Sequence, residues 1–236
     1  MSDVDSELSL VPTPAPAGSP AGTPDTLAVL SKDGKQVAQI PLTDDSRTAV
    51  EQLQKLIAKR AQQKALLDLT NSTSTLNEAF RFRIVRLKQF AGVKRPGGML
   101  DFAKSEPVFG IGDRIQLVVD NESDEQLYFT ILAAGADGSM TVLYPRAGTS
   151  EKPVAAHDHL DTPPLVVRGP AAREAFKVIA TRSPVDLRFL EKGSADEVSA
   201  AIPENDQSSL IAILKEALLT SAPDKSSAAK EAAAPA

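Results

Sequence analysis

The chain has 236 residues, with 42% hydrophobic and 24% charged side chains, a net charge of −5 and no cysteine. That balance is ordinary for a folded globular protein. The missing cysteine excludes a disulfide framework, a thiolate zinc site, a lipidated N-terminal Cys and a cysteine nucleophile.

The acidic excess sits at the start, where Asp3, Asp5, Glu7 and Asp25 face no Lys or Arg. The rest is close to neutral and steers the chain toward neither nucleic acid nor an anionic membrane. The first residues lack a basic start followed by an apolar run, and no apolar stretch approaches the roughly 20 residues of a membrane span. The expected compartment is the cytoplasm, with no membrane and no nucleic-acid partner.

Residues 1–25 hold Pro12, Pro14, Pro16, Pro20 and Pro24 among Gly, Ala and Ser. Such spacing forbids helix and removes ladder donors, so the segment reads as an extended, disordered linker. Residues 26–79 open with a hairpin: Leu27 to Leu30 and Val37 to Ile40 flank Asp33-Gly34, a favoured two-residue turn. Asp44, Asp45 or Ser46 then caps a helix running to about Leu67. Val50, Leu53, Ile57, Ala61 and Lys64 mark its inward face, broadened by Leu56. The run Asn71 to Thr75 ends it as loop.

From Phe80 the apolar period becomes two, with Phe80, Phe82 and Ile84 alternating with Arg81 and Arg83. The apolar set then shifts to Val85 and Leu87, the signature of a β-bulge. Ile115-Leu117-Val119, Leu127-Phe129-Ile131, Met140-Val142-Tyr144, Leu165 to Val167 and Phe176-Val178-Ala180 follow as strands. Every Phe and Tyr lies between Phe80 and Phe189, so the main core belongs here. The expected fold is mainly β (α+β), an antiparallel β-sandwich of about six or seven strands over residues 80–190. A short helical turn is expected from Val185 to Leu190. Residues 191–220 carry an amphipathic helix capped by Asn205 or Asp206, with Leu210, Ile213, Leu214, Ala217 and Leu218 on one face. Residues 221–236 read as a disordered Ala-rich tail.

Three constellations bear on chemistry. In an extended segment His157, His159 and Asp161 would share one side, as strand-borne metal ligands do. The count and spacing are not diagnostic of a metal, and a polar loop before Pro163-Pro164 accounts for them as well. Arg81, Arg83, Arg86 and Lys88 form a basic strand free of acids, read as one solvated, edge-protecting row and as the candidate partner surface. The interleaved Phe rings should face the core, which argues against stacking on nucleic acid. Gly110-Ile111-Gly112-Asp113 lacks the Lys-Ser/Thr of a phosphate loop and reads as a turn into a strand. No Gly-x-Ser-x-Gly elbow is present. The expectation is a chain without enzymatic activity and without a cofactor. A metal-dependent hydrolase using His157 and His159 is the least favoured alternative.

The run FGIGDRIQLVVDNESDEQLYFTILAAGADGSMTVLYPRAG, followed by LVVRGPAAREAFKVIATRSPVD, resembles a bacterial domain family of unknown function often found C-terminal to caspase-like peptidase domains. The upstream ALLDLTNSTSTLNEAFRFRIVRL resembles the segment joining such domains to the peptidase. The likeness extends over about residues 66–187. It implies a β-sandwich accessory module, a sensor or interaction domain, with a caspase-like peptidase as candidate protein partner. The alternative it implies is a regulatory subunit directly controlling that protease. Without cysteine the Cys-His dyad is not on this chain, which reads as the C-terminal part of such a protein or a stand-alone subunit.

Overall fold

The structure, a computed structural model, describes residues 8–32, 34–42, 46–71, 74–76, 78–90, 93–99, 108–168 and 174–191, together with 210, 211, 213 and 214; of residues 46, 88–90 and 93–99 it describes the backbone alone. Among the described residues it is mainly β, as the alternating pattern predicts, with three sheets and one long helix. The chain divides into two units, one of residues 1–69, 134–140 and 189–236, the other of residues 70–133 and 141–188.

In the first unit, β1 (Leu8–Thr13), β2 (Thr26–Ser31) and β3 (Gln36–Pro41) form a sheet in that order. β1 lies where the prolines predict an extended linker. It pairs antiparallel with β2, Leu10 opposite Val29 and Pro12 opposite Leu27. As an edge strand it tolerates Pro12, whose missing donor costs only the unpaired side. Pro16 and Pro20 then open two tight turns, closed by Ser19 N–H to Pro16 O (3.0 Å) and Thr23 N–H to Pro20 O (3.1 Å). Gly18 and Gly22 supply the positive φ those turns require.

The β2–β3 hairpin forms as expected, with a wider turn. Gly34 N–H donates to Ser31 O and Ser31 N–H to Lys35 O, each at 2.8 Å, and the register shifts between Val29 and Leu30. Asp33, Asp44 and Asp45 lie outside the described residues.

The helix α1 (Ser46–Asp68) has the predicted length, and its inward face keeps Leu53 and Leu56 of the predicted set but not Val50 or Ile57. Ala49, Leu56, Gln62, Gln63 and Leu66 are buried, while Val50 and Ile57 are about half exposed. Ala49 and Leu56 join Val29 and Ile40 in the core of this unit. The reason is polar. Gln63 Nε2 donates to Gly135 O (2.7 Å) and Ser139 O (3.1 Å), and Arg60 Nη1 to Ala136 O (3.1 Å). Two polar residues therefore hold a turn that an apolar-only reading turns outward. Residues 210, 211, 213 and 214 are helical, with Ile211 and Leu214 buried and Ile213 partly exposed. The expected caps Asn205 and Asp206, with Ala217, Leu218 and the tail, lie outside the described residues.

The second unit is the sandwich. β4 (Phe80–Phe90), β5 (Val93–Met99), β6 (Arg114–Asn121), β9 (His159–Asp161) and β10 (Leu165–Val166) make one sheet, ordered β10–β6–β4–β5 with β9 also on β6. β7 (Tyr128–Ala134), β8 (Met140–Tyr144) and β11 (Ala175–Thr181) make the other, ordered β11–β7–β8. Ile84, Ile115, Leu117 and Val119 from the first sheet meet Phe129, Ile131, Phe176 and Val178 from the second. Phe80 packs edge-on against Phe129 with centroids 5.5 Å apart, a favoured aromatic geometry.

β4 pairs with β6 without a slip, from Phe80 opposite Asn121 to Leu87 opposite Arg114. The predicted bulge lies on the other side, between Val85 and Leu87 in the pairing with β5. β5 was not among the expected strands; Pro96, Gly97 and Gly98 disfavour a central strand and are tolerated at the end of a sheet. β4 is thus internal from Val85 onward, which takes Arg86 and Lys88 off the expected edge, while Arg81 and Arg83 precede the stretch paired with β5. The turn expected at Val185 to Leu190 is a 3₁₀ turn, Arg188–Glu191. Among the described residues no helix is long and apolar enough to cross a membrane.

Candidate interaction surface

Period two sorts the four basic candidates of β4 into different environments. Arg81 and Arg83 share a face with Val85 and Leu87, opposite Asp120 and Val118 of β6. Arg83 Nε donates to Asp120 Oδ2 at 2.6 Å, and that hydrogen bond holds the guanidinium above its ordinary pKa. Arg81 pairs with Glu122 at 3.1 Å. Each cation has an acid beside it, so this face carries mixed charge where a basic strip was expected. Such exposed pairs contribute about 0–1 kcal/mol each and mainly set the local charge pattern.

Arg86 is even-numbered and lies in phase with Phe80, Phe82 and Ile84. It therefore leaves the expected row. Its guanidinium carbon sits 5.2 Å from the centroid of the Phe109 ring, Nη2 donates to Val108 O (2.6 Å), and Asp113 Oδ2 lies at 3.4 Å. Arg86 is thus a prop for the loop before β6, through a cation–π contact and a charge-assisted hydrogen bond. The side chain of Lys88 lies outside the described residues.

The loop that Arg86 supports is closed by further bonds. Asp113 N–H donates to Gly110 O (3.0 Å), Gly110 N–H to Asp113 Oδ2 (2.9 Å), and Gly112 N–H to Val167 O (2.9 Å). Gly112 takes φ 90°, the conformation that favours glycine. The segment is the plain turn expected from its sequence. What the sequence reading missed is its surface: Val108 is 84% exposed and Ile111 76%, beside Val166 of β10 at 41%. Two large aliphatic side chains thus face solvent on a loop fixed from behind, with a third on β10.

The histidine cluster does not assemble as the extended-strand reading predicts. His159 and Asp161 share a side of β9, with His159 Nε2 3.9 Å from Asp161 Oδ2. His157 has φ 59° and departs from the strand, its Nε2 lying 3.0 Å from Asp124 Oδ1. The turn is imposed by Asn121, whose buried Nδ2 donates to Val154 O and Ala155 O just upstream. Among the described residues no group of three or more His, Asp or Glu side chains is placed to hold a metal.

A second polar cluster was not anticipated. Glu151 Oε2 accepts from Val185 N–H at 3.1 Å, while Oε1 is buried without a hydrogen-bond partner among the described residues. Burial pushes its pKa up, and Asp186 adds to the rise. Burial, and then the Glu151 charge, also pushes Tyr144 up. Tyr144 ends β8 before Pro145, as predicted, and Glu151 follows in the loop. A half-buried carboxyl in a loop has no periodic signature, so only its proximity to Tyr144 in sequence hinted at the pair.

With the sandwich, the exposed loop and these clusters in place, comparison with known proteins adds one finding. Residues 108–184 match a domain of unknown function, DUF4384. The DUF4384 span opens at the exposed Val108 and closes just before Val185, so it contains the loop, β6 to β11 and Glu151. It leaves out β4, which nonetheless supplies Ile84 and the partly buried Phe80 and Phe82 to the core around it. No curated protein and no solved structure matches the chain.

Proposed function

We propose that this chain is a non-catalytic interaction module, an accessory to a bacterial caspase-like peptidase, that docks a protein partner through the loop of Val108 and Ile111. The observation carrying this reading is the exposure of two large aliphatic side chains on a loop braced by Arg86 and by Val167. A braced loop loses little entropy on binding, and exposed apolar residues gathered at one place mark interaction sites more than solvated loops. The pairing of Arg81 with Glu122 and of Arg83 with Asp120 supports the apolar loop over the basic strand as the docking surface. The peptidase as partner rests on the resemblance of the strand block to modules that accompany such enzymes.

The test is direct binding between the purified chain and a caspase-like peptidase encoded in the same genome, followed by sedimentation. Association weakened at least tenfold in a Val108→Asp/Ile111→Asp variant supports the reading. Association that is absent, or indifferent to the two substitutions, overturns it. The cleavage rate measured in the same mixture separates a docking accessory, which leaves it unchanged, from a regulatory subunit, which alters it.

A further inference from the structure

After β11 the chain leaves the sandwich through residues 182–188, and Glu151 is bonded to it there. Val185 is buried, and its amide N–H donates to Glu151 Oε2. The other oxygen of that carboxyl, Oε1, is also buried and has no donor among the described residues. An oxygen in that position is buried at lower cost as part of a neutral acid than as half of a carboxylate.

The Val185 N–H and the Arg188 charge offset an ionised carboxylate only in part, and burial with Asp186 outweighs them. Tyr144 of β8 faces it as a phenol. Asp186 adds a second negative charge. Arg188 is the cation within range, but Nη1 lies 3.4 Å from Asp186 Oδ2 and Nη2 donates to Arg146 O at 2.8 Å. Arg188 Nε is itself buried and without a partner among the described residues, so the guanidinium is not turned fully onto the carboxyl. Lys152 is exposed, and its backbone N–H bonds to Tyr144.

We propose that Glu151 is a proton-controlled fastener for residues 182–188, closed while the carboxyl carries its proton and loosened when it ionises and draws in water. This goes beyond the docking reading and uses none of its residues. It makes the exit of the chain from the DUF4384 segment responsive to pH.

The experiment is amide hydrogen exchange at Val185, followed by NMR in the full chain from pH 4 to pH 8 and corrected for the intrinsic exchange rate. Protection should fall through a midpoint above the ordinary glutamate range. The drop is bounded at tenfold for each unit by which that midpoint exceeds the ordinary value. In Glu151→Gln, a neutral isostere, protection should stay flat. Flat protection in the wild type, or an equal fall in Glu151→Gln, overturns the proposal. If Glu151→Gln fails to fold, the carboxyl carbon shift of Glu151 in the wild type decides: a midpoint above the ordinary range supports the fastener, and one at or below it overturns it.

Discussion

Asn121 offers the sharpest test of how the sandwich is held together. Its side chain is only 2% exposed. Nδ2 donates to Glu125 O (2.9 Å), Val154 O (3.1 Å) and Ala155 O (2.9 Å), and Oδ1 accepts from Ser123 N–H (3.1 Å) and Ser123 Oγ (2.7 Å). One amide thus joins the end of β6, the loop after it, and the strand-like segment before His157. Asn121→Ala removes all of these bonds. The carbonyls are not stranded, because Val154 O keeps Leu127 N–H, Ala155 O keeps Asp158 N–H, and Glu125 O keeps Ser123 Oγ. The cost is then the net value of the lost bonds, about 1 kcal/mol each for roughly three independent ones, and not several full desolvation penalties. The expected loss is about 3 kcal/mol. Asn121→Asp should cost more above the carboxylate pKa, since it sets a negative charge against three carbonyl oxygens. The assay is urea unfolding followed by tyrosine fluorescence, because Tyr128 and Tyr144 are the only tyrosines, there is no tryptophan, and both lie in the sandwich unit. A loss below about 1 kcal/mol for Asn121→Ala would refute the reasoning.

Three other perturbations follow from the same geometry. Thr162 Oγ1 accepts from Leu117 N–H at 3.0 Å, filling the ladder of β6 between β9 and β10. Thr162→Val should strand that amide and cost about 2 kcal/mol, while Thr162→Ser should cost much less, both read by the same unfolding assay. Gly138 has φ 82°, and a Cβ there would lie 3.1 Å from Lys59 Cβ and 3.2 Å from Arg60 N. Gly138→Ala should cost about 1–3 kcal/mol, and an unchanged melting temperature would contradict this clasp of α1 on the turn. Glu151 titrates above its ordinary value in the folded chain, so its proton stabilises the fold fully at pH below the unfolded pKa. That contribution is lost as pH rises through the folded pKa. Glu151→Gln should therefore match the wild type in acid and melt higher at neutral pH, and a difference constant with pH would contradict the assignment.

The core of the sandwich was legible because Phe80 to Ile84, Ile115 to Val119 and Leu127 to Ile131 keep a strict period of two, and one face of each is buried. The separation of Arg86 from Arg81 and Arg83 was hidden, because a bulge expected at Val85 brings all the cations into one row, whereas β4 runs along β6 without a slip. β1 and β5 were hidden by Pro12 and Pro96, which remove a donor from the middle of a sheet and cost nothing at its end. The polar part of the α1 face was hidden because Gln63 is buried for its hydrogen bonds, which hydropathy cannot register. Asn121 and Thr162 satisfy backbone groups from distant segments, with partners more than thirty positions away in sequence. The exposure of Val108 and Ile111 depends on the turn from Gly110 to Asp113 and its bonds to Val167, and apolar residues in a short run read equally well as core.

The docking reading stands most directly on one comparison: the affinity of the wild-type chain and of the Val108→Asp/Ile111→Asp variant for the caspase-like peptidase. Both side chains are solvent-exposed, so the substitutions should leave unfolding within about 0.5 kcal/mol of the wild type. The account predicts an unchanged fold with binding weakened at least tenfold. Equal affinity of the two proteins, or no binding by either, would contradict it.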